Sequence, residues 1–282
     1  MNKFPDRSNS LIGLITDFGY KDPYVGVMKA VIKSINPRVE IIDITHGIER
    51  HNILEAAVNL LVSAPYLPRG SIIVVVVDPG VGSSRRALLI RTKNYFLIGP
   101  DNGFSTLLVE YDGIVKAYDI SNSRYRLPKV SHTFHGRDIF APVAAWVSLG
   151  IPPEEVGIEI DYNTIVKLEI PKPLKVNDNS IQSMIVNIDV FGNAMTLINE
   201  EMVKSIGLKY GDKIVIETKN GVWESIFERS FSLTTPGSIV TYINSWGYLE
   251  IAINMGNASQ SLGLRTGDFI IIRRESLSLI HI

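Results

Sequence analysis

A run of four valines, residues 74–77, constrains the fold more than any other part of this chain. An uninterrupted apolar run is typical of a strand buried on both faces, as in a parallel sheet covered by helices. Asp78 follows directly, and Pro79-Gly80-Val81-Gly82 then predicts a tight turn, because glycine accepts backbone angles that a Cβ atom excludes. The sequence therefore predicts an α/β domain with a carboxylate at the end of a central strand.

The pattern along the chain changes near residue 160. Before it, apolar strands alternate with helical patterns, such as those over residues 24–35 and 53–64, which is typical of α/β domains. After the linker Pro171-Lys172-Pro173, short β-rich runs separated by turn residues dominate, which favours a small barrel or sandwich. We predict an α/β domain with a largely parallel sheet over residues 1–170 and a small all-β, barrel-like domain over residues 171–282.

Composition excludes several classes of function. A length of 282 residues allows two domains and a large core. The net charge of −1 gives no nucleic-acid footprint, and the lack of cysteine excludes disulfides and thiolate metal sites. Residues 1–10 are polar, and no apolar run reaches membrane-spanning length. We therefore expect a cytoplasmic protein whose partners include neither nucleic acid nor a membrane.

Two strand ends carry candidate ligand-binding carboxylates. Asp78 has Arg85 close enough in sequence to fold back on it, and Asp17 follows the apolar residues 11–16. Ligands of open α/β sheets bind beyond the carboxyl ends of the strands, and a carboxylate there can accept two hydrogen bonds from a ribose diol. Glycine-rich phosphate loops are absent from the sequence, so we predict a nucleoside-like ligand without a polyphosphate. In the alternative interpretation, Asp78 caps its turn and Arg85 is solvated.

His135 lies just before a predicted helix over residues 139–149. Histidine titrates nearest neutral pH and often transfers protons, so His135 is a catalytic candidate. In the alternative, Asp138 caps the helix, Arg137 is solvated and a histidine bonds a backbone carbonyl. Asp43, His46 and His51 could suggest metal binding, because Asp43 and His46 have a spacing that suits metal ligands. Such pairs are common by chance, and we predict no metal site.

The second region has two candidate segments. In residues 189–193 an apolar strand breaks into polar groups around Phe191; Asn193 can bond the edge of adenine while Phe191 stacks on its face. The alternative is a strand-end turn with a core phenylalanine. The alternation over residues 242–250 predicts a hairpin. In the first region, Asp101-Asn102-Gly103 is interpreted as a hairpin-type turn; the alternative is a loop that lines the site.

Five motifs carry a family resemblance, and they occur in the expected order with plausible spacing from about residue 11 to 273. They are Thr16-Asp17-Phe18-Gly19, Asp78-Pro79-Gly80-Val81-Gly82, Gly99-Pro100-Asp101-Asn102-Gly103, Phe134-His135-Gly136-Arg137-Asp138 and Asp189-Val190-Phe191-Gly192-Asn193. Together they resemble the S-adenosylmethionine (SAM) hydrolase family, also called hydroxide adenosyltransferases, which are related to fluorinases and chlorinases.

The resemblance implies an enzyme that hydrolyses SAM to adenosine and L-methionine by attack of water or hydroxide on the ribose 5′ carbon, without a cofactor. It also implies an α/β domain paired with a barrel. Asp78, Arg85 and His135 match the catalytic Asp–Arg–His set of the family. The residues assigned to substrate binding are Asp17, Asp189, Phe191, Asn193, Tyr242, Ser245, Glu250 and Met255.

The resemblance further implies a homotrimer, with the ligand between the α/β domain of one subunit and the barrel of its neighbour. In halogenating relatives the serine that matches Ser245 is followed by an arginine, but here Trp246 follows. The cationic partner of the methionine carboxylate is therefore not identified. Two alternatives remain: a non-catalytic adenosine or SAM sensor, and a halide-using adenosyltransferase, which the negative charge of Asp78 disfavours because it repels a halide.

Overall fold

The computed structural model describes residues 11–275, which form two compact units, the first ending at Leu168 and the second beginning at Glu169. The strands and α-helices of the first unit follow in chain order. They are β1 (Leu11–Thr16), α1 (Tyr24–Ile35), β2 (Glu40–Thr45), α2 (Ile53–Ser63), β3 (Ile72–Val76), β4 (Ala87–Thr92), β5 (Phe96–Pro100), α3 (Thr106–Asp112), β6 (Ile114–Asp119), α4 (Ala141–Ser148), α5 (Pro153–Val156) and β7 (Ile158–Ile160).

The first unit is built on a seven-stranded sheet in the order β2-β1-β3-β5-β4-β6-β7. The neighbouring strands β2, β1, β3 and β5 are parallel, whereas β4 pairs antiparallel with β5 and β6, and β7 with β6. From β1 the chain passes to β2 on one side and later returns as β3 on the other. The point between β1 and β3 is thus a topological switch point, where ligands of open α/β sheets bind.

Helices cover both faces of this sheet. Val74 and Val76 of β3 pack with α1 and α4 in one cluster, while Ile73 and Val75 pack with α2 and α3 in the other. The four side chains are at most 3% exposed. Successive side chains of a strand point to opposite faces, so an all-apolar strand needs two apolar layers. The predicted α/β class with a mostly parallel sheet is confirmed.

The second unit is a closed barrel. Its strands and α-helices are β8 (Leu174–Asn177), β9 (Ser180–Ile188), β10 (Ala194–Asn199), α6 (Glu200–Ser205), β11 (Lys213–Thr218), β12 (Gly221–Phe227), β13 (Ile239–Ile243), β14 (Tyr248–Ile253), α7 (Ala258–Leu262) and β15 (Phe269–Arg274). Seven strands close in the order β10-β14-β13-β12-β11-β15-β9, because β9 also pairs with β10, and β8 extends from β9. The predicted barrel is confirmed, and closure leaves the seven strands no unpaired edge.

Some of the helices and turns predicted from the sequence are confirmed, and one is not. The predicted helix over residues 24–35 coincides with α1, and Asn52 caps α2 by accepting a hydrogen bond from Glu55 N–H at 3.0 Å. The hairpin predicted for residues 242–250 is formed by β13 and β14. The interpretation of residues 101–103 as a hairpin-type turn was wrong, because they join β5 to α3. None of the helices among residues 11–275 is long and apolar enough to span a membrane.

Candidate active site

The carboxylate predicted at the end of β3 is bound by an arginine and lies next to a histidine. Arg85 donates from Nε to Asp78 Oδ1 at 2.8 Å and from Nη2 to Asp78 Oδ2. Arg85 Nη2 is also 2.9 Å from His135 Nδ1. The side chains of Asp78 and Arg85 are only 6% and 10% exposed, so the pair is largely shielded from water. Two-pronged bonds between arginine and a carboxylate fix orientation as well as charge.

Neighbouring loops hold this group in place. Gly82 has a φ of +80°, and a Cβ there would lie 2.3 Å from His132 O, so the turn after Asp78 packs directly on the segment before His135. Asn102 donates from Nδ2 to Val77 O at 2.8 Å, which secures the chain just before Asp78. The motif mistaken for a hairpin therefore supports the strand end.

The hydrogen bond from Arg85 determines which ring nitrogen of His135 carries the proton. An arginine only donates, so His135 Nδ1 accepts, and the neutral ring carries its proton on Nε2. Burial lowers the pKa of His135, and the charge of Arg85 lowers it further, which outweighs the opposing effects of Asp78 and Asp138. His135 immediately precedes a π-helical turn, Gly136–Phe140. Such wide turns occur mainly at functional sites.

Asp138 anchors the segment that carries His135. It is fully buried and accepts hydrogen bonds from Ser131 N–H at 2.7 Å and from Arg137 Nε at 2.6 Å. Burial by itself raises the pKa of Asp138, but these bonds outweigh that effect and lower it. The alternative in which Asp138 caps the helix was wrong, because Asp138 accepts from Ser131 N–H and thereby closes the loop over residues 131–138. Arg137, whose side chain is 36% exposed, is paired with Asp138.

Asp17 follows β1 and lies next to aromatic rings. Its Oδ2 accepts a hydrogen bond from His51 N–H at 3.0 Å. The rings of Phe18, Tyr24 and Phe134 meet one another at centroid distances of 5.2–5.7 Å, in tilted and edge-to-face arrangements that favour aromatic packing. This places an apolar wall beside a carboxylate.

These features surround a cavity of about 340 Å³, within the usual range for small-molecule sites. Its lining comprises Asp17, Phe18, Asp22, Tyr24, Arg50, His51, Val76, Asp78, Val81, Thr133, Phe134, His135 and Gly136. Arg85 bonds to two of these residues from outside the lining. The sequence had not indicated Asp22 or Arg50 as site residues, and it had indicated His51 only as a possible metal ligand. The φ of +67° that turns His51 into its loop leaves no signal in the sequence.

The pair considered for a metal site belongs to a different network. Asp43 Oδ2 accepts a bond from Lys29 Nζ at 2.6 Å, and Asp43 Oδ1 is 3.1 Å from His46 Nε2. His46 Nδ1 is 2.8 Å from Thr16 Oγ1. Both ring nitrogens therefore face protein groups. The lack of a metal or cofactor requirement stays a prediction.

In the second unit, Asp189 organises the turn between β9 and β10. Its Oδ1 accepts from Phe191 N–H at 2.9 Å and Asn193 N–H at 2.8 Å, and its Oδ2 accepts from Asn193 Nδ2 at 2.9 Å. Phe191 is 72% exposed, so the alternative with a core phenylalanine was wrong. The turn presents the ring to its surroundings, as an aromatic stacking role requires.

The remaining candidates of the second unit lie on or after the β13–β14 hairpin. Tyr242 O–H donates to Glu250 Oε1 at 2.5 Å, and Asn244 Nδ2 donates to Glu250 Oε2 at 2.9 Å. Burial raises the pKa of Tyr242, and the bond to Glu250 raises it further. Ser245 is exposed in the hairpin turn, and Met255, at 88% exposure, follows β14 with a φ of 55°.

Comparison with known proteins identifies relatives for both units. Family models for the SAM hydroxide adenosyltransferase N-terminal and C-terminal domains match residues 12–157 and 183–271. A protein named (R)-S-adenosyl-L-methionine hydrolase from Methanocaldococcus jannaschii is 38% identical over 264 residues, 90% of this chain and 92% of that protein. Its namesake from Thermus thermophilus is 35% identical over 261 residues, 90% of this chain and 95% of that protein.

More distant and structural relatives agree with this. A fluorinase from an Actinoplanes species is 27% identical over 290 residues, covering 93% of this chain and 97% of the fluorinase. The crystal structure of an uncharacterized conserved protein from Thermotoga maritima has a TM-score of 0.89 and 38% identity, covering 93% of this chain and all of that one. The similarity therefore includes both units.

Proposed function

The chain belongs to the SAM hydroxide adenosyltransferase family, and from this premise we propose that it hydrolyses SAM to adenosine and L-methionine. The observation that carries the proposal is the Asp78–Arg85–His135 network, two members of which line a cavity of about 340 Å³. Nucleoside binding alone has no need for a buried carboxylate, arginine and histidine bonded in series. The network therefore favours an enzyme over a non-catalytic sensor.

The leaving group needs little help. When the C5′–S bond of SAM breaks, its electron pair stays on sulfur, and methionine departs as a neutral thioether. The difficult part is the nucleophile, because neutral water is weak and must be held in line with the bond that breaks. Positioning a water in this way supplies several kcal/mol of the required acceleration.

Asp78 is the residue that we assign to accept the proton. The water oxygen becomes strongly acidic as it bonds to C5′, so a carboxylate is basic enough to take a proton at that stage. Each carboxylate oxygen has a second lone pair beyond the one used by Arg85. The proton passes from water to Asp78 and then to solvent, while the hydroxyl oxygen remains on adenosine.

His135 and Arg85 take supporting roles in this proposal. Because His135 Nδ1 accepts from Arg85 at 2.9 Å, its Nε2–H is left to donate to the attacking water and orient it. This makes His135 a donor and not the base. Arg85 fixes both partners and supplies a positive charge near the oxygen, which favours its hydroxide-like character.

The substrate-binding roles remain those predicted from the sequence. Asp17 would accept hydrogen bonds from the ribose diol. Phe191 and Asn193 would bind adenine by stacking and edge bonding, with Asp189 shaping their turn. Tyr242, Ser245, Glu250 and Met255 are assigned to the rest of the substrate; of these, Glu250 is bonded by Tyr242 and Asn244, so we expect it to shape the pocket.

The direct test is product formation. Purified protein is incubated with SAM and a chelator, and adenosine and methionine are measured by chromatography. We expect equal amounts of both above the buffer blank, with no added metal or cofactor. Incubation in chloride or fluoride separates the halide alternative, since a halogenated adenosine would replace adenosine as the product. Failure to form either product would refute the proposed enzyme.

We also propose a homotrimer in which adjacent chains complete one site, and a cytoplasmic location; both rest on the sequence and the family resemblance. Each unit carries an incomplete set of the proposed binding groups, which supports sharing. The test mixes Asp78→Ala and Asn193→Ala proteins after dissociation and reassembly, and activity is measured at a SAM concentration low enough that the weakened binding of Asn193→Ala also makes it slow. In a shared site some pockets regain two intact halves, and activity returns in part. Verified mixed trimers without activity would contradict the shared site.

A further inference from the structure

A partly buried polar cluster lies next to the Asp17 loop, and the proposed reaction does not use it. The His46 cluster consists of Thr16, Asp43, His46 and Lys29. His46 is 2% exposed and Thr16 is fully buried. Polar groups are costly to bury unless they are paired. We infer that His46 is a positioning residue, which holds Asp17 in the orientation that binds the ribose diol; this inference rests on the ribose role proposed above.

The sheet brings the cluster together. Thr16 ends β1 and His46 follows β2, two parallel neighbours in which Ile15 pairs with Thr45. The next residues in each strand are therefore side by side. Asp43 lies two residues before Thr45 on β2, and Lys29 reaches its Oδ2 from α1 at 2.6 Å. The arrangement thus follows from the register of two strands and one helix.

The hydrogen-bond polarity of the cluster is consistent along its length. Asp43 Oδ1 lies 3.1 Å from His46 Nε2, within ion-pair distance but without hydrogen-bond geometry; a carboxylate beside Nε2 favours the tautomer that carries the ring proton on that nitrogen. Nδ1 then accepts from the Thr16 hydroxyl at 2.8 Å. The hydroxyl oxygen in turn accepts Phe18 N–H at 3.2 Å. One tautomer of His46 therefore satisfies a backbone group directly after Asp17.

The backbone of His46 holds the other side of the same loop. His46 O accepts Gly19 N–H at 2.8 Å, and Gly19 turns with a φ of +62°. His46 therefore fixes the chain before and after Asp17. The carboxylate of Asp17 accepts His51 N–H at 3.0 Å, from the far end of the 46–51 segment. Both the backbone and the side chain of Asp17 are set by this segment.

Lys29 and Tyr20 both donate hydrogen bonds to Asp43, and these bonds favour its ionised form. Asp43 Oδ2 accepts bonds from Lys29 and, at 3.2 Å, from Tyr20 O–H. Burial alone raises the pKa of Asp43, but the bond from Lys29 and the proximity of His46 outweigh burial and lower it. The carboxylate therefore stays ionised at neutral pH, with Oδ1 3.1 Å from His46 Nε2.

The test measures how strongly binding depends on the ribose diol. Calorimetry gives the Kd of adenosine and of 2′,3′-dideoxyadenosine for the wild type and for His46→Leu. We expect the wild type to bind adenosine at least tenfold more tightly, since charge-assisted bonds are lost in the analogue. In His46→Leu this ratio falls towards one. Ser148→Ala, which removes a buried 2.9 Å bond with Asn36 in the same unit, serves as the control and keeps the ratio.

A double mutant separates positioning from general destabilisation. If His46 acts through Asp17, then Asp17→Asn/His46→Leu binds adenosine no more weakly than Asp17→Asn, because coupled residues are not additive. Fully additive losses would overturn the inference. His46→Asn keeps an acceptor for Thr16 and is expected to recover part of the ratio. If His46→Leu does not fold, Thr16→Val removes the same hydrogen bond between residues 16 and 46 and gives the same test.

The readout distinguishes this inference from the proposed reaction. Binding of adenosine is measured at equilibrium and needs no turnover, so an inactive protein can still pass the test. An unchanged ratio in both His46→Leu and Thr16→Val overturns the positioning role, whatever the hydrolysis assay shows. A wild type that binds the two nucleosides equally overturns the ribose role of Asp17 together with this inference.

Discussion

The two units hold their candidate site residues in different ways. In the first, Arg85 joins Asp78, seven positions away, to His135, fifty positions away. In the second, Asp189 bonds only within its own turn, over two to four positions. Long-range bonds exist only when the whole domain is folded, whereas local bonds need only the turn itself. The first unit thus fixes charged groups against one another across the domain. The second displays groups on turns ordered by local bonds, and the 189–193 turn is also tied to α7 by the bond from Ser259 N–H to Gly192 O at 2.8 Å.

The candidate side chains also differ in solvent exposure between the two units. The side chains of Asp78 and Arg85 are largely buried, whereas Phe191 and Met255 lie exposed on the second unit. Electrostatic groups are strongest where water is excluded, and exposed apolar side chains on fixed turns suit a surface that a ligand covers. The comparison therefore supports placing the proposed chemical step in the first unit, which also supplies Asp17 for the ribose, and adenine binding in the second, and four predictions test this proposal.

The largest effect is expected for Asp78→Asn. The amide keeps the shape of the side chain but cannot take the proton, and its NH2 group faces a donor of Arg85. We expect kcat to fall by about 10²–10⁴-fold, with little change in the Kd of adenosine. Stopped assays for kcat and calorimetry for Kd measure both. Equal losses in kcat and in adenosine affinity would contradict the assignment of the chemical step to Asp78.

Arg85→Lys comes next. A lysine keeps the charge but cannot bond Asp78 twice and His135 at the same time. Since charge-assisted bonds contribute about 1.5–3 kcal/mol each, we expect kcat to fall by about 10- to 100-fold. Steady-state kinetics gives the split between kcat and KM. A change confined to KM would mean that Arg85 acts in binding.

Asp189→Ala tests the second unit. It removes three hydrogen bonds of the 189–193 turn, and we expect adenosine affinity to fall by about tenfold while kcat at saturation changes little. Calorimetry and saturation kinetics report the two quantities. Val190→Ala, at a neighbouring position that is 91% exposed, is the control and should leave both unchanged. A loss of kcat larger than the loss of affinity would contradict the comparison.

The smallest expected effect is a loss of kcat/KM at acid pH, which we attribute to protonation of His135 in the first unit. Burial and the charge of Arg85 lower the pKa of His135, so its neutral form persists below the ordinary histidine value of about 6.5. Protonation removes the acceptor for Arg85; kcat/KM is therefore flat above that pH and falls as pH drops through the lowered pKa. A pH–rate profile tests this. An acid limb that persists in His135→Gln would belong to another group.

The sequence predicted best where burial dictates the pattern. The valines of β3 and the helical spacing of α1 report directly on apolar layers, so fold class and the helix followed from them. The sequence did not reveal that β4 pairs antiparallel with β5, because a buried strand has the same apolar pattern in a parallel and in an antiparallel pair. Asp101-Asn102-Gly103 does form a turn, with a φ of +96° at Gly103, but the turn leads into a helix and not into the second strand of a hairpin.

The candidate site was predicted in its members but not in its connections. The strand ends indicated Asp17 and Asp78, the residues around them indicated Arg85 and His135, and the resemblance grouped Asp78, Arg85 and His135 as one catalytic set. The tautomer of His135 could not be predicted, because it depends on a bond across fifty positions. His46 was read as one of a chance pair, since only the register of β1 and β2 shows that it adjoins Thr16.

The π-helical turn Gly136–Phe140 makes the site depend on the length of the chain as well as on its chemistry. A π turn holds one residue more than an α turn, and each residue of an α-helix advances the chain by about 100°. A one-residue deletion in this turn would restore a regular helix and keep every catalytic side chain. It would nevertheless rotate His135 away from Arg85. The spacing between two residues is here as much a part of the site as the residues themselves.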